Sequence, residues 1–394
     1  MTMSVAWLWL LLAPCAPAQE LLKGEFGDID LGRQLLEPAR FPTVKQLRRA
    51  AQNPSIETVL MIKLYGDQNN HHLPIWSQDG QRLAFQRSKV QASSSKILLF
   101  DAMSRPAPIL LSGGPDEYDY MFRWGVNSPG GYAFSRIKAD EQNTHVYFSA
   151  DGTKPLPKTS GPGQNQYPTL YERTDGIWRL VYERGGRLIH EAFNADDRIE
   201  APFELAAGTS PRWSRDGYRL LFLRERARST RLAAMDVVVR NLRTEIDVLL
   251  QTPRVGLIRS PVWSPDEQSV AFYMQEPGDS QPWNIQVCSV SPEATARTIA
   301  ADVIVNPDFK SEGPSWEPSG RRIWYFSQRH RQQAYYPLAA AAVGSEENIV
   351  VQYPRRCTTP GDVAVNPVTQ VPEIAFVGHD GLPRDLFIVF LNHY

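Results

Sequence analysis

Apolar positions in this chain come in strand-length bursts separated by turn formers. "RLAFQR" (82–87), "RLLFLRER" (219–226) and "SVAFYMQ" (269–275) alternate or run apolar, as strands with one or two buried faces do. Each is followed by another such burst: "KILLFDA" (96–102), "HVYFSA" (145–150), "MDVVVRNL" (235–242), "NIQVCSV" (284–290) and "DLFIVFL" (385–391). A weaker one comes next in places, as in "APILLS" and "IDVLLQ", which suits an exposed outer edge.

Ahead of the first burst stands a repeated phrase. It reads "PIWSQDGQRLAFQRSK" from 74, "PRWSRDGYRLLFLRER" from 211, "PVWSPDEQSVAFYMQE" from 261 and "PSWEPSGRRIWYFSQR" from 314. Pro then Trp ends a short inner strand. The Asp-Gly pair then turns the chain, because Asp bonds its own backbone and Gly accepts positive φ cheaply. Anchors fall at Trp76, Trp124, Trp213, Trp263 and Trp316. The long gap holds a worn copy, "YPTLYERTDGIWRLVYER" (167–184), with Leu170 in the Trp place. A seventh copy, "VAVNPVTQVPEIAFVGHDG", puts Val365 at the anchor. Spacings near fifty residues are those of a four-stranded propeller blade, and the recurring aromatic residues are packing between blades.

The two ends of the repeat fit each other. The seventh unit stops after its third strand, and a lone strand, "TVLMIKLYG" (58–66), precedes the first anchor. A ring closes when one terminus donates the strand that the other lacks. The expected fold is all-β, a seven-bladed β-propeller of four-stranded blades closed by 58–66, with six blades and one degenerate unit as the alternative. The domains are then a signal peptide (1–18), an N-terminal arm (19–57) with one short helix at "TVKQLRRAA", and the propeller (58–394).

Composition narrows the function classes. The 394 residues carry a net charge of −1, which gives no global pull toward nucleic acid or an anionic membrane. The 31 prolines and 26 glycines suit short strands and tight turns. "MTMSVAWLWLLLAPCAPAQE" has the apolar run and Ala-Pro-Ala of a cleaved secretory signal, without a basic n-region. "LAPC" resembles a lipobox, so lipidation at Cys15 is the alternative, and the only direct membrane attachment expected. Cys288 and Cys357, read as strand and loop, show no metal or redox spacing.

The repeated Pro-x-Trp-Ser-x-Asp-Gly phrase resembles the β-propeller repeats of TolB, the periplasmic protein of the bacterial Tol-Pal system. The resemblance covers about 70–394 and is strong in units one, four and five. Similar repeats occur in the propellers of prolyl oligopeptidase-like enzymes and of oligogalacturonate lyase. TolB has an α/β domain before its propeller, for which the 38 or so residues after the signal leave too little room. The resemblance implies a periplasmic or secreted envelope protein, with outer-membrane association as a variant, that binds other proteins or peptides.

Catalytic chemistry is sparse. There is no G-x-S-x-G elbow and no phosphate loop, and no histidine pair has metal-ligand spacing. No catalytic, cofactor-binding or metal residues are assigned, and no cofactor or nucleic-acid partner is expected. The turns after each second strand are rich in Arg, above all "RERARSTR" (224–231), whereas "GPDEYDY" (114–120) leads into an inner strand with acid and Tyr. That face is the candidate partner surface: His71, His72, Glu117, Tyr118, Tyr167, Arg224, Arg226, Arg228, Arg259, Arg329 and Arg331. The rival reading is a polysaccharide-binding protein or lyase-type enzyme using the channel, with Arg259 and the histidines near its mouth.

Overall fold

In the computed structural model of the chain, the described residues are 21–23, 59–65, 69–89, 95–101, 109–111, 117–138, 141–194, 198–226, 235–250, 252, 256–277, 281–305, 313–328, 338–344, 348–351, 356–365, 372–379 and 385–391. The expected signal, Cys15, the helix at 43–51, Arg228, Arg329 and Arg331 lie outside them.

The Trp-Ser-x-Asp phrase folds into the same hydrogen-bonded turn in all three copies that carry it. Ser77 donates its hydroxyl to Asp79 at 2.5 Å, and its oxygen accepts the Arg82 amide at 2.9 Å. Ser214 repeats this with Asp216 and Arg219, and Ser264 with Asp266 and Ser269. Each Asp also accepts an amide two residues on, from Gln81, Tyr218 or Gln268. The next residue enters the left-handed region, at φ 66° in Gly80 and 67° in Gly217. The turn therefore satisfies its own backbone and reverses the chain from inner to second strand.

Among the described residues the strands fall into seven antiparallel groups of four. In the first they run Asn69–Trp76, Arg82–Lys89, Ser95–Asp101 and Ile109–Leu110. The second runs from Glu117–Trp124 to Leu156–Pro157, and a single parallel pairing of Ser95 with Tyr118 joins it to the first. The third to sixth are separate four-stranded sheets whose inner strands are Asn165–Glu172, Thr209–Trp213, Leu257–Trp263 and Ser315–Trp316. The seventh takes Arg356–Val365, Pro372–His379 and Asp385–Leu391 from the end of the chain, and its fourth strand is Val59–Tyr65. Val59 lies opposite Leu391, Ile62 opposite Ile388 and Tyr65 opposite Leu386, so the predicted closing strand is in place. Leu21–Lys23 adds a fifth strand outside it.

Each group packs on the next, and the seventh packs on the first through Asn69–Trp76. The seams are apolar. Leu221, Val237, Val270 and Phe272 fill the one between groups four and five, with Val239 and Met274. Tyr171, Val181, Leu220 and Phe222 fill the one between three and four. Trp76, Trp124 and Trp213 are buried, as packing residues should be. The indole N–H groups of Trp124 and Trp263 also reach across seams, to the carbonyls of Ile75 (3.0 Å) and Arg212 (3.3 Å).

Three details differ from the sequence reading. Val363, not Val365, occupies the anchor place of the seventh unit: it lies opposite Ile374, as Trp76 lies opposite Leu83. Cys357 belongs to the inner strand Arg356–Val365 rather than to a loop. The outer strands are short in groups one, two and four, as expected, but Arg198–Ala207 runs ten residues. Its edge carries Pro202, a bulge and the charges Arg198, Glu200 and Glu204, features that discourage pairing with another chain. Among the described residues no helix is long and apolar enough to cross a membrane.

The turns give a paired prediction. Gly217 and Gly176 both hold positive φ, but a Cβ on Gly217 would meet the Tyr171 ring at 2.2 Å, whereas nothing lies within 4 Å of one on Gly176. Gly176→Ala should cost only the backbone term of about 1–2 kcal/mol. Gly217→Ala should cost clearly more, read as a larger fall in melting temperature; equal falls would mean that Tyr171 does not pack on that turn.

Candidate functional site

The inner strands share one irregularity, and it builds the site. Two residues of the inner strand oppose one of the second: Leu73 and Pro74 in group one, Met121 and Phe122 in two, Tyr167 and Pro168 in three, Ser210 and Pro211 in four, Ser260 and Pro261 in five. The first of each pair is a non-glycine residue at positive φ, between 50° and 56°. Such backbone costs on the order of 1–3 kcal/mol each and persists where the surrounding fold imposes it. The bulge lies just ahead of the residue preceding the anchor, and that residue lines the hub.

Register identifies this residue in every group: Ile75, Arg123, Thr169, Arg212, Val262, Ser315 and, through the Val363 anchor, Asp362. All seven line one central cavity of about 450 Å³. The strong charges of this ring are therefore two guanidiniums, from groups two and four, and one carboxylate, from group seven. Prolines and the anchor tryptophans complete much of the wall. A smaller recess continues along the hub, lined by Met121, Arg123, Tyr167, Arg212 and Ser260.

Asp362 also ties the last sheet to the first. Its Oδ2 accepts the Trp76 amide at 2.8 Å and its Oδ1 the Val363 amide at 3.0 Å. The carboxyl faces the cavity and is half-buried there. Burial pushes it up to about 6, against the opposing pull of the two amides and of Arg123 and Arg212. At the rim, Glu267 stands where the other turns place Gly, at φ 56°. Its carboxylate accepts the Arg215 amide and pairs with Arg219 at 2.8 Å, and burial raises it. Asn127 spans the rim, donating to the Arg215 carbonyl at 2.7 Å and accepting no glycine-like ease for its φ of 60°.

Those sequence-predicted residues that are among the described ones lie toward the other end of the sheets, where the second strands finish. His71 is buried edge-on against Phe85, and His72 Nε2 meets the Ser88 hydroxyl at 3.1 Å. Glu117 pairs with Arg136 at 3.0 Å, and Arg136 also grips buried Asp119 at 2.6 Å, so the acid of that mouth is matched internally. Tyr118 is exposed beside Tyr120. Arg224 bonds Asp247 at 2.8 Å and Arg226 bonds Asp236 at 2.8 Å, which tempers the basic rim. Arg259 lies over the Trp283 ring at 5.0 Å. Tyr167 alone of the set lines a hub recess, and burial pushes its hydroxyl up to about 12. Sequence reading missed Arg123, Arg212 and Asp362. The middle residue of Pro-x-Trp held the signal for Arg212. Among the described residues no three His, Cys, Asp or Glu side chains gather as a metal site would require.

Asp362 sets a pH prediction. Its folded-state value lies above the ordinary 3.8, so its contribution to stability is full below about pH 4 and is lost as pH rises through about 6. Asp362→Asn should remove that decline from a plot of melting temperature against pH; a decline unchanged in the variant would place its origin elsewhere.

No family model matches the chain, and no curated protein does. Solved structures do. Oligogalacturonate lyase from Vibrio parahaemolyticus superposes with a TM-score of 0.54 at 10% identity, over 95% of this chain and 98% of that one. The β-propeller domain of the trilobed protease from Pyrococcus furiosus gives 0.54 at 11% identity, over 82% and 94%. TolB from Acinetobacter baumannii gives 0.44 at 15% identity over 61% of this chain, which spans 59% of that protein's length. At such identities likeness speaks for fold alone, and the fold is a β-propeller.

Proposed function

We propose that this chain is an exported, non-enzymatic protein-binding scaffold, a propeller component of a bacterial cell-envelope complex, and that a segment of its partner docks in the hub cavity. The observation that carries the reading is the convergence of one side chain from each of seven groups on a single cavity, with Arg123 and Arg212 set among Trp, Pro and Val. Arginine forks beside aromatic and apolar walls are the composition of protein-binding hot spots. The export signal read from residues 1–18, or anchoring through Cys15, supports the envelope location.

The cavity is preferred to the Arg-rich opposite face because all seven groups converge on it; Arg123 bonds the Phe122 carbonyl at 2.8 Å, just as Arg224 and Arg226 bond Asp247 and Asp236. A polysaccharide in the same cavity is the rival, since acidic sugars also suit paired arginines.

Crosslinking in the native envelope followed by mass spectrometry tests the reading. Combined Arg123→Ala and Arg212→Ala should lower partner recovery at least tenfold, while Arg224→Ala with Arg226→Ala should leave it nearly unchanged. The reverse pattern would move the docking surface to the opposite face, and recovery of glycans alone would favour the rival.

A further inference from the structure

The ring of wall residues has a charge pattern that selects a ligand chemistry. Around the hub the order is Ile75, Arg123, Thr169, Arg212, Val262, Ser315 and Asp362, so the carboxylate stands two places from one arginine and three from the other. Both guanidiniums line the main cavity and the recess beyond it, and so mark the neck between them. The other charges of the lining belong to the rim. Glu267 is held by Arg219 and the Arg215 amide, and Arg215 sits on the turn of group four. The wall between is mixed, with Pro74, Val126, Pro314 and Ala364 beside Ser77, Gln78, Thr169 and Ser264.

We infer that the hub cavity captures a carboxylate group on a peptidic, apolar stem, such as the free C-terminus of a partner chain, between Arg123 and Arg212, and that capture is coupled to uptake of a proton by Asp362. This rests on the reading that a partner segment enters the cavity, and it names the chemistry of that segment. Arginine is charged at every relevant pH and presents a planar fork that matches a carboxylate. An acidic sugar carries the same carboxylate; the apolar part of the wall, Pro74, Val126, Pro314 and Ala364, is what favours a peptidic stem over it.

The coupling follows from like charge. A second carboxylate brought into the cavity faces Asp362, and each of two carboxylates sharing one site disfavours the charge of the other. Asp362 is the member placed to accept the proton. It already rests on two backbone amides, and its surroundings resist its charge even with Arg123 and Arg212 facing it. A ligand carboxylate between the arginines takes up their attraction and shifts that balance further. Proton uptake then makes binding tighter as pH falls from 7 to 5, a range in which an ordinary peptide carboxylate remains ionised.

Calorimetry on the full chain tests this with three probes: an N-acetylated apolar tripeptide with a free C-terminus, the same peptide amidated, and a galacturonate trimer. The free acid should bind about tenfold tighter at pH 5 than at pH 7, and the amide and the trimer should bind at least tenfold more weakly at pH 5. Asp362→Asn should bind the acid at pH 7 as tightly as the unmodified chain does at pH 5, with no pH dependence. Arg212→Lys, which keeps the charge and loses the fork, should weaken the acid while melting like the unmodified protein. No binding of the acid, equal binding of acid and amide, preference for the trimer, or a pH dependence that survives in Asp362→Asn would each overturn the inference. Binding of the acid as described, with partner recovery unchanged in the double Arg variant, would end the scaffold reading and leave this one standing; lost recovery without binding of the acid would do the opposite.

Discussion

A row of β-sheets has two bare ends, and in this protein they are disposed of by one pairing: Val59–Tyr65 against Asp385–Leu391. Residues more than three hundred positions apart supply one continuous sheet, so the last group is completed from the start of the chain. Everything at the hub follows. With the circle closed, the inner strand of the seventh group comes against the first, and Asp362 can reach the Trp76 amide. An open row would leave that carboxylate at an edge, in water, with neither burial nor arginines around it.

The second constraint is the bulge in the inner strands of groups one to five. Five groups accept a non-glycine residue in the left-handed region at the same place. That repeated local cost is met by the seams, where large side chains such as Phe222, Phe272 and Tyr273 are wholly buried. The return is geometric: one side chain per sheet is delivered to a common wall. The wall's chemistry varies from sheet to sheet, although Ile75, Thr169, Val262 and Asp362 also join the seams. Ile, Arg, Thr, Val, Ser and Asp all occur there, whereas the anchors beside them stay aromatic or aliphatic.

How far the sequence can be read depends on whether the information is local. The turn phrase was legible because Ser, Asp and Gly satisfy one another within five residues, and the closing strand because a missing fourth strand and a spare first one are both visible in the repeat. The seventh anchor was misplaced by two residues because Val363 and Val365 look alike in sequence. Only pairing with Ile374 and Ala375 separates them. That slip hid Asp362, which stands at the ring position only once Val363 is the anchor. Arg224 and Arg226 looked available because Asp236 and Asp247 belong to later strands of the same sheet. The long outer strand Arg198–Ala207 was illegible for a related reason: an edge strand with Pro and alternating charge has no apolar rhythm of its own.

The hub, its charges and its coupling to protons thus depend on ring closure, and closure can be measured directly. In a chain whose native cysteines are replaced by Ser, Ile62→Cys and Ile388→Cys place thiols on residues that face each other across the closing pair. Mild oxidation of the folded protein should give an intramolecular disulfide in nearly every molecule, located by peptide mapping, with a raised melting temperature. Thiols that stay free, or that link only between molecules, would contradict the closed ring.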